Sequence, residues 1–155
     1  MFDTISGLPV HALVVHAVVV LLPLMSIVTA AVALRPRWRQ YAPAVAVIDG
    51  IVVVIAFVAK KSGEVLQARL QQLNPAVAHD HGAQGRLVPY VALGVFVAAL
   101  LVWATSRWAG LVPVAVGVSL LAGVAGVGWT YVTGDSGARA VWGQTIENTK
   151  TPASR

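Results

Sequence analysis

Apolar residues run almost uninterrupted through Ile5–Leu34, Tyr41–Ala59, Leu87–Ser106 and Ala109–Thr133, and polar residues collect in the short segments between them. At about 1.5 Å per helical residue, each stretch reaches across a hydrocarbon core of about 30 Å. The pattern predicts an all-α, four-helix transmembrane bundle, with spans at about 10–34, 41–59, 87–106 and 109–133 in a single membrane domain, 1–155. Pro9 suits the first position of helix 1, where a missing N–H costs nothing, and Pro23 is a candidate kink. After helix 2, Leu66, Leu70 and Leu73 recur at helical spacing among Glu64, Gln67, Arg69 and Gln71. That spacing predicts a short amphipathic interfacial helix over Lys60–Asn74, between helices 2 and 3. Asn74-Pro75 reads as a stop and restart before helix 3, and Arg107-Trp108 as a tight turn into helix 4. The glycines of Thr133-Gly134-Asp135-Ser136-Gly137 are expected to end helix 4 and leave a polar tail, 135–155. No internal repeat stands out.

Small residues recur at four-residue spacing in helix 4, Ser119 with Gly123 and Ala122 with Gly126, followed by Gly128. Such faces let backbones approach closely in lipid, which predicts a helix central to the bundle or to a homo-oligomer.

Composition narrows the picture. Hydrophobic residues make up 57% of the chain and charged residues 11%, so most of its length has no surface suited to water. The net charge of +5 comes from basic residues beside the spans, which points to the lipid bilayer and its anionic head groups rather than to nucleic acid. Cysteine is absent, which excludes disulfides, thiolate metal sites and a cysteine nucleophile. Met1-Phe2-Asp3-Thr4 offers no basic n-region, so the first span reads as a retained helix rather than a signal peptide. The dense cluster Arg35, Arg37, Arg39, with Arg107, favours a cytoplasmic side for the two tight links and an extracytoplasmic side for both termini.

Four crossings sort the polar residues. The start of helix 1, the end of helix 2, the start of helix 3 and the end of helix 4 share one face. His11, His16, His79 and His81 all fall there, with Glu64, Asp80 and Asp135. His11 and His16 are five residues apart and diverge by about 140° on a helix, so they are not a helical zinc pair. A site on this face takes one histidine from each helix, His16 and His81, completed by Glu64 or Asp135. It would suit a divalent metal with nitrogen and oxygen ligands, or haem b iron between two imidazoles. The competing reading is a polar cluster that only satisfies helix ends.

Asp49 lies near the middle of helix 2, where a carboxylate costs about 2.5–3.5 kcal/mol to insert. Ser119, Ser26 and Thr29 lie at comparable depth, so a protonated Asp49 bonded to one of these hydroxyls is expected. This residue supports either ion coupling or an interhelical bond that fixes packing. Templates for phosphate binding or an esterase nucleophile are missing, which argues against an enzyme.

Four helix-end motifs, taken in order, carry a resemblance. They are Leu8-Pro9-Val10-His11 with Val15-His16 and Leu21-Leu22-Pro23, then Lys61-Ser62-Gly63-Glu64-Val65-Leu66, then His81-Gly82-Ala83-Gln84-Gly85, and Thr133-Gly134-Asp135-Ser136-Gly137-Ala138. From Pro9 to Trp142 the chain resembles the bacterial membrane proteins of domain-of-unknown-function family 2231. The resemblance implies a four-helix domain in the bacterial plasma (inner) membrane. Some relatives carry a following Rieske-type iron–sulfur domain, which implies redox surroundings and an external C-terminus. It carries over His16, Glu64, His81 and Gly134. Where many relatives have histidine this chain has Asp135, which suits a metal carboxylate better than a haem ligand. The functions this supports are a non-enzymatic membrane subunit or accessory module, a small oligomeric ion-coupled transporter using Asp49, or a structural partner in a larger membrane complex.

Overall fold

The computed structural model of the chain describes residues 4–5, 8–70 and 81–149. A two-residue antiparallel pair, Thr4–Ile5 against Leu8–Pro9, leads into α1 (Val10–Leu34). A 3-10 segment, Pro36–Tyr41, turns the chain into α2 (Ala42–Leu70). Helical residues 81–85 and a short turn precede α3 (Val88–Ala104). A second 3-10 turn, Ala109–Leu111, opens α4 (Val112–Thr149). All four long helices are long and apolar enough to cross a membrane, and the four-helix transmembrane fold follows. Helix α1 continues through Pro23.

Two boundaries differ from the sequence reading. The amphipathic residues after Ala59 are helical, but through Leu70 they are the last turns of α2 rather than a separate helix; residues 71–74 lie outside the described residues. No proline interrupts 59–70, and the α2 ladder propagates through Ser62-Gly63. Likewise α4 does not stop at Gly134 but runs on to Thr149. Each interior glycine costs about 1 kcal/mol relative to alanine, which neighbouring helical residues and tertiary packing outweigh. At 29 and 38 residues, α2 and α4 span about 43 and 57 Å, well beyond a core of about 30 Å. Both project on the face that holds the histidines.

The chain is two copies of one hairpin. First helices end at Leu34 and Ala104, turns end at Tyr41 and Leu111, and second helices start at Ala42 and Val112, all at a constant offset of 70. Arg37-Trp38 and Pro43 recur at that offset as Arg107-Trp108 and Pro113. The buried stripe of α1, Leu22, Met25, Thr29 and Val32, maps onto Ala92, Val95, Ala99 and Val102 of α3. On the second helices Val45 and Asp49 map onto Ala115 and Ser119. Helix α1 packs on α2 and α4, α3 packs on the same two, and α1 meets α3 across the diagonal. Exchanging the hairpins preserves that arrangement, as a two-fold axis along the membrane normal does. The sequence hides this repeat because the two copies share burial and length far more than residue identity.

Within the bundle, helix α4 is not the central one. Only 17% of its most apolar window is buried, against 39% for each other helix. The close approach expected at its small residues is present on one side. A Cβ on Gly123 would lie 3.3 Å from the Ser26 carbonyl oxygen, and one on Gly126 would overlap the Ser26 hydroxyl. Gly128 faces open space.

Aromatic and basic residues finish the end opposite the histidines. The Arg39 guanidinium donates twice to the Ala33 carbonyl, at 3.1 and 3.0 Å, satisfying an orphan acceptor at the end of α1. Arg35 stacks over Trp38 at 4.6 Å, and Trp103 and Trp108 are exposed at the same level.

Candidate functional site

His11 occupies the first turn of α1, and its Nδ1 lies 3.0 Å from the Ala59 carbonyl oxygen on α2. The Ser62 hydroxyl donates to the same oxygen at 3.0 Å. The imidazole rests on Gly63, where a Cβ would sit 3.0 Å from Cε1. His81, ahead of α3, repeats the arrangement against α4. Its Nδ1 lies 3.2 Å from the Ser136 Oγ, Ser136 donates to the Thr133 carbonyl at 2.9 Å, and the ring rests on Gly137 at 3.0 Å. The two rings meet across the α1–α3 diagonal with centroids 6.4 Å apart and planes at 69°.

Ala59, Ser62 and Gly63 thus correspond to Thr133, Ser136 and Gly137, at an offset of 74 rather than 70. The four extra residues in α4 are close to one helical turn, so serine and glycine keep the same face. A carbonyl only accepts, so His11 donates its Nδ1–H to Ala59. Ser136 spends its hydrogen on Thr133 and therefore accepts from His81 Nδ1–H. With Nδ1–H donated in this way, the position left for a ligand bond is Nε2, the arrangement that metal-ligating histidines adopt when the other nitrogen is held by a carbonyl.

The structure changes the expected partnership. His16 is exposed on α1 and its Nδ1 bonds the Ala12 carbonyl of its own helix, so it does not approach His81; His11 takes that place. The two residues are about 140° apart on α1, and it is the His11 side that meets the diagonal. Glu64 pairs with Lys61 at 3.1 Å, and Asp135 with Arg139 at 2.8 Å. Both carboxylates face outward and neither joins the histidines. His79 and Asp80 lie outside the described residues. Among the described residues no group of three or more His, Cys, Asp or Glu side chains is placed to hold one metal ion. Ser62, Gly63, Ser136 and Gly137 were not read from sequence as parts of a site. Their signal is the Ser-Gly pair repeated opposite a repeated histidine.

Deeper in the bundle, the Thr29 hydroxyl donates to Asp49 Oδ2 at 2.8 Å, one of the three bonds anticipated for this carboxyl. Ser26 instead donates to the Leu22 carbonyl at 2.7 Å. Ser119 bonds neither.

A model of the family described as a predicted membrane protein (DUF2231) matches residues 7–150. The chain belongs to the DUF2231 family. No curated protein and no solved structure matches it. Membership fixes this DUF2231 chain as a membrane protein, in agreement with its four apolar helices.

Proposed function

We propose that this DUF2231 protein is a non-enzymatic module of the bacterial inner membrane, with both termini extracytoplasmic, that holds one metal ion between His11 and His81. The observation that carries this reading is the pair itself. Two imidazoles from equivalent positions face each other at 6.4 Å, each with Nδ1 tied to the next helix. Two metal–nitrogen bonds of about 2 Å, with about 1.1 Å from each nitrogen to its ring centre, span about 6.2 Å when the nitrogens stand opposite each other across the ion. The ring separation is compatible with a single ion held that way. Borderline metals such as zinc, copper and iron prefer imidazole ligands. Bound metal would serve a larger membrane assembly as a fixed cofactor or as a structural clamp between the hairpins.

The test is elemental analysis with an absorbance spectrum of the detergent-purified full chain, expressed with metals and haem precursor supplied. Stoichiometric zinc, copper or iron is expected, lost in His11→Ala and His81→Ala and kept in His16→Ala. A Soret band lost in the same two variants would make the ligand haem rather than a bare ion. A metal-free wild type, or metal retained in both alanine variants, would remove the site.

A further inference from the structure

A second polar feature lies in the middle of the bundle and is not used by the histidine pair. Asp49 is 1% exposed, its Oδ2 accepts from Thr29 at 2.8 Å, and its Oδ1 has no partner. Ser119, its equivalent in the second hairpin, is 0% exposed, and its Oγ has no partner either. The helices packed on α2 bring no charge to this depth. Helix α1 offers Thr29 and Ser26, the latter spent on the Leu22 carbonyl, and α3 offers Ala98 and Ala99. No Lys, Arg, His, Asp or Glu occurs in 17–34, 87–106 or 109–133, and the tyrosines lie towards the span ends.

A carboxyl with no counter-ion and one unmade bond is costly in hydrocarbon. That the same register of both hairpins carries a buried, incompletely bonded polar group argues against accident. In secondary transporters built from repeats, sites for coupling ions lie near this depth. Intramembrane carboxyls of this kind mark proton paths.

We propose that Asp49 is a proton-exchange site at mid-membrane, in which Thr29 fixes Oδ2 while Oδ1 takes and releases the proton. Loading forms an O–H bond at Oδ1 with a proton from hydronium, which leaves as water, and unloading reverses this. Because the second copy has a serine at the equivalent position, there is one such site per chain.

Infrared difference spectroscopy of the full chain in lipid, recorded across pH, tests this. Beside the bands of the other Asp and Glu side chains, one carboxylic C=O band belonging to the buried Asp49 is expected to titrate. It should persist in Ser119→Ala, shift to higher frequency in Thr29→Val, where its hydrogen bond is lost, and vanish in Asp49→Asn. If Asp49→Asn does not fold, the Thr29→Val shift carries the assignment. A band unchanged at every pH in folded protein would make the carboxyl a fixed packing bond and overturn the proposal. So would survival of that particular band in Asp49→Asn, or its response to sodium at constant pH. The titration should be intact in His11→Ala, so its outcome is independent of the histidine site.

Discussion

Thr29→Val probes the one bond that holds Asp49. The change is nearly isosteric and replaces a hydroxyl that is 1% exposed, so packing is kept while the 2.8 Å bond is lost. Asp49 Oδ1 already lacks a partner, so the substitution leaves the whole carboxyl unpaired within the bundle. A buried polar group stripped of its partner costs about 1–3 kcal/mol in soluble proteins. Interhelical bonds in membranes average about 0.6 and reach about 1.7 kcal/mol, because the inserted unfolded chain finds other partners. Complete burial and the missing second bond place this case at the upper end, about 1–2 kcal/mol. Ser119→Ala provides the contrast. It removes a hydroxyl that bonds nothing, so stability should be unchanged or slightly raised. Equilibrium unfolding in mixed micelles measures both variants on one scale. If Thr29→Val is neutral, or Ser119→Ala destabilises equally, the bonding assigned to this layer is wrong.

Two glycines two residues apart, on opposite sides of α4, should respond with opposite sign. Gly126→Ala drives a methyl into the Ser26 hydroxyl and should destabilise by about 1–3 kcal/mol in the same assay, whereas Gly128→Ala meets open space and should gain up to about 1 kcal/mol from helix propensity. Gly63→Ala and Gly137→Ala each place a methyl 3.0 Å from a histidine Cε1, and should weaken bound metal at least tenfold in a competition titration while the helices remain. Glu64→Gln and Asp135→Asn break only outward ion pairs, so metal content should be unchanged and stability should fall by less than about 1 kcal/mol. Arg39→Ala leaves the Ala33 carbonyl without its side-chain donor at the end of α1, and a loss of about 1 kcal/mol is expected in micelle unfolding.

The spans were legible because lipid imposes one requirement, a long apolar helix, that composition alone reveals. Azimuth was not legible. Hydropathy places His11 and His16 on one face of the membrane but does not say which side of α1 meets α3, and that choice decides which histidine takes part. The end of α4 was misread because Gly134 and Gly137 carry a stop signal, which the surrounding helix overrides. Gly137 instead gives the His81 ring its seat. A hydroxyl partner for Asp49 among Ser26, Thr29 and Ser119 could be anticipated because depth follows directly from residue count, whereas the choice of Thr29 could not. The repeat escaped notice because apolar residues substitute freely against lipid and in the core: Leu22 corresponds to Ala92, and Met25 to Val95. Its identical positions, His11/His81, Arg37/Arg107, Trp38/Trp108 and Pro43/Pro113 with a few valines, are too sparse to stand out in sequence.

The doubled hairpin also bears on how the chain enters its membrane. Arg37 and Arg107 stand at corresponding turns, so the repeat puts an arginine of the same register at each tight link. Lys60, Lys61 and Arg86 flank the opposite ends of the helices, so any bias in the direction of insertion belongs to the whole charge distribution rather than to one turn.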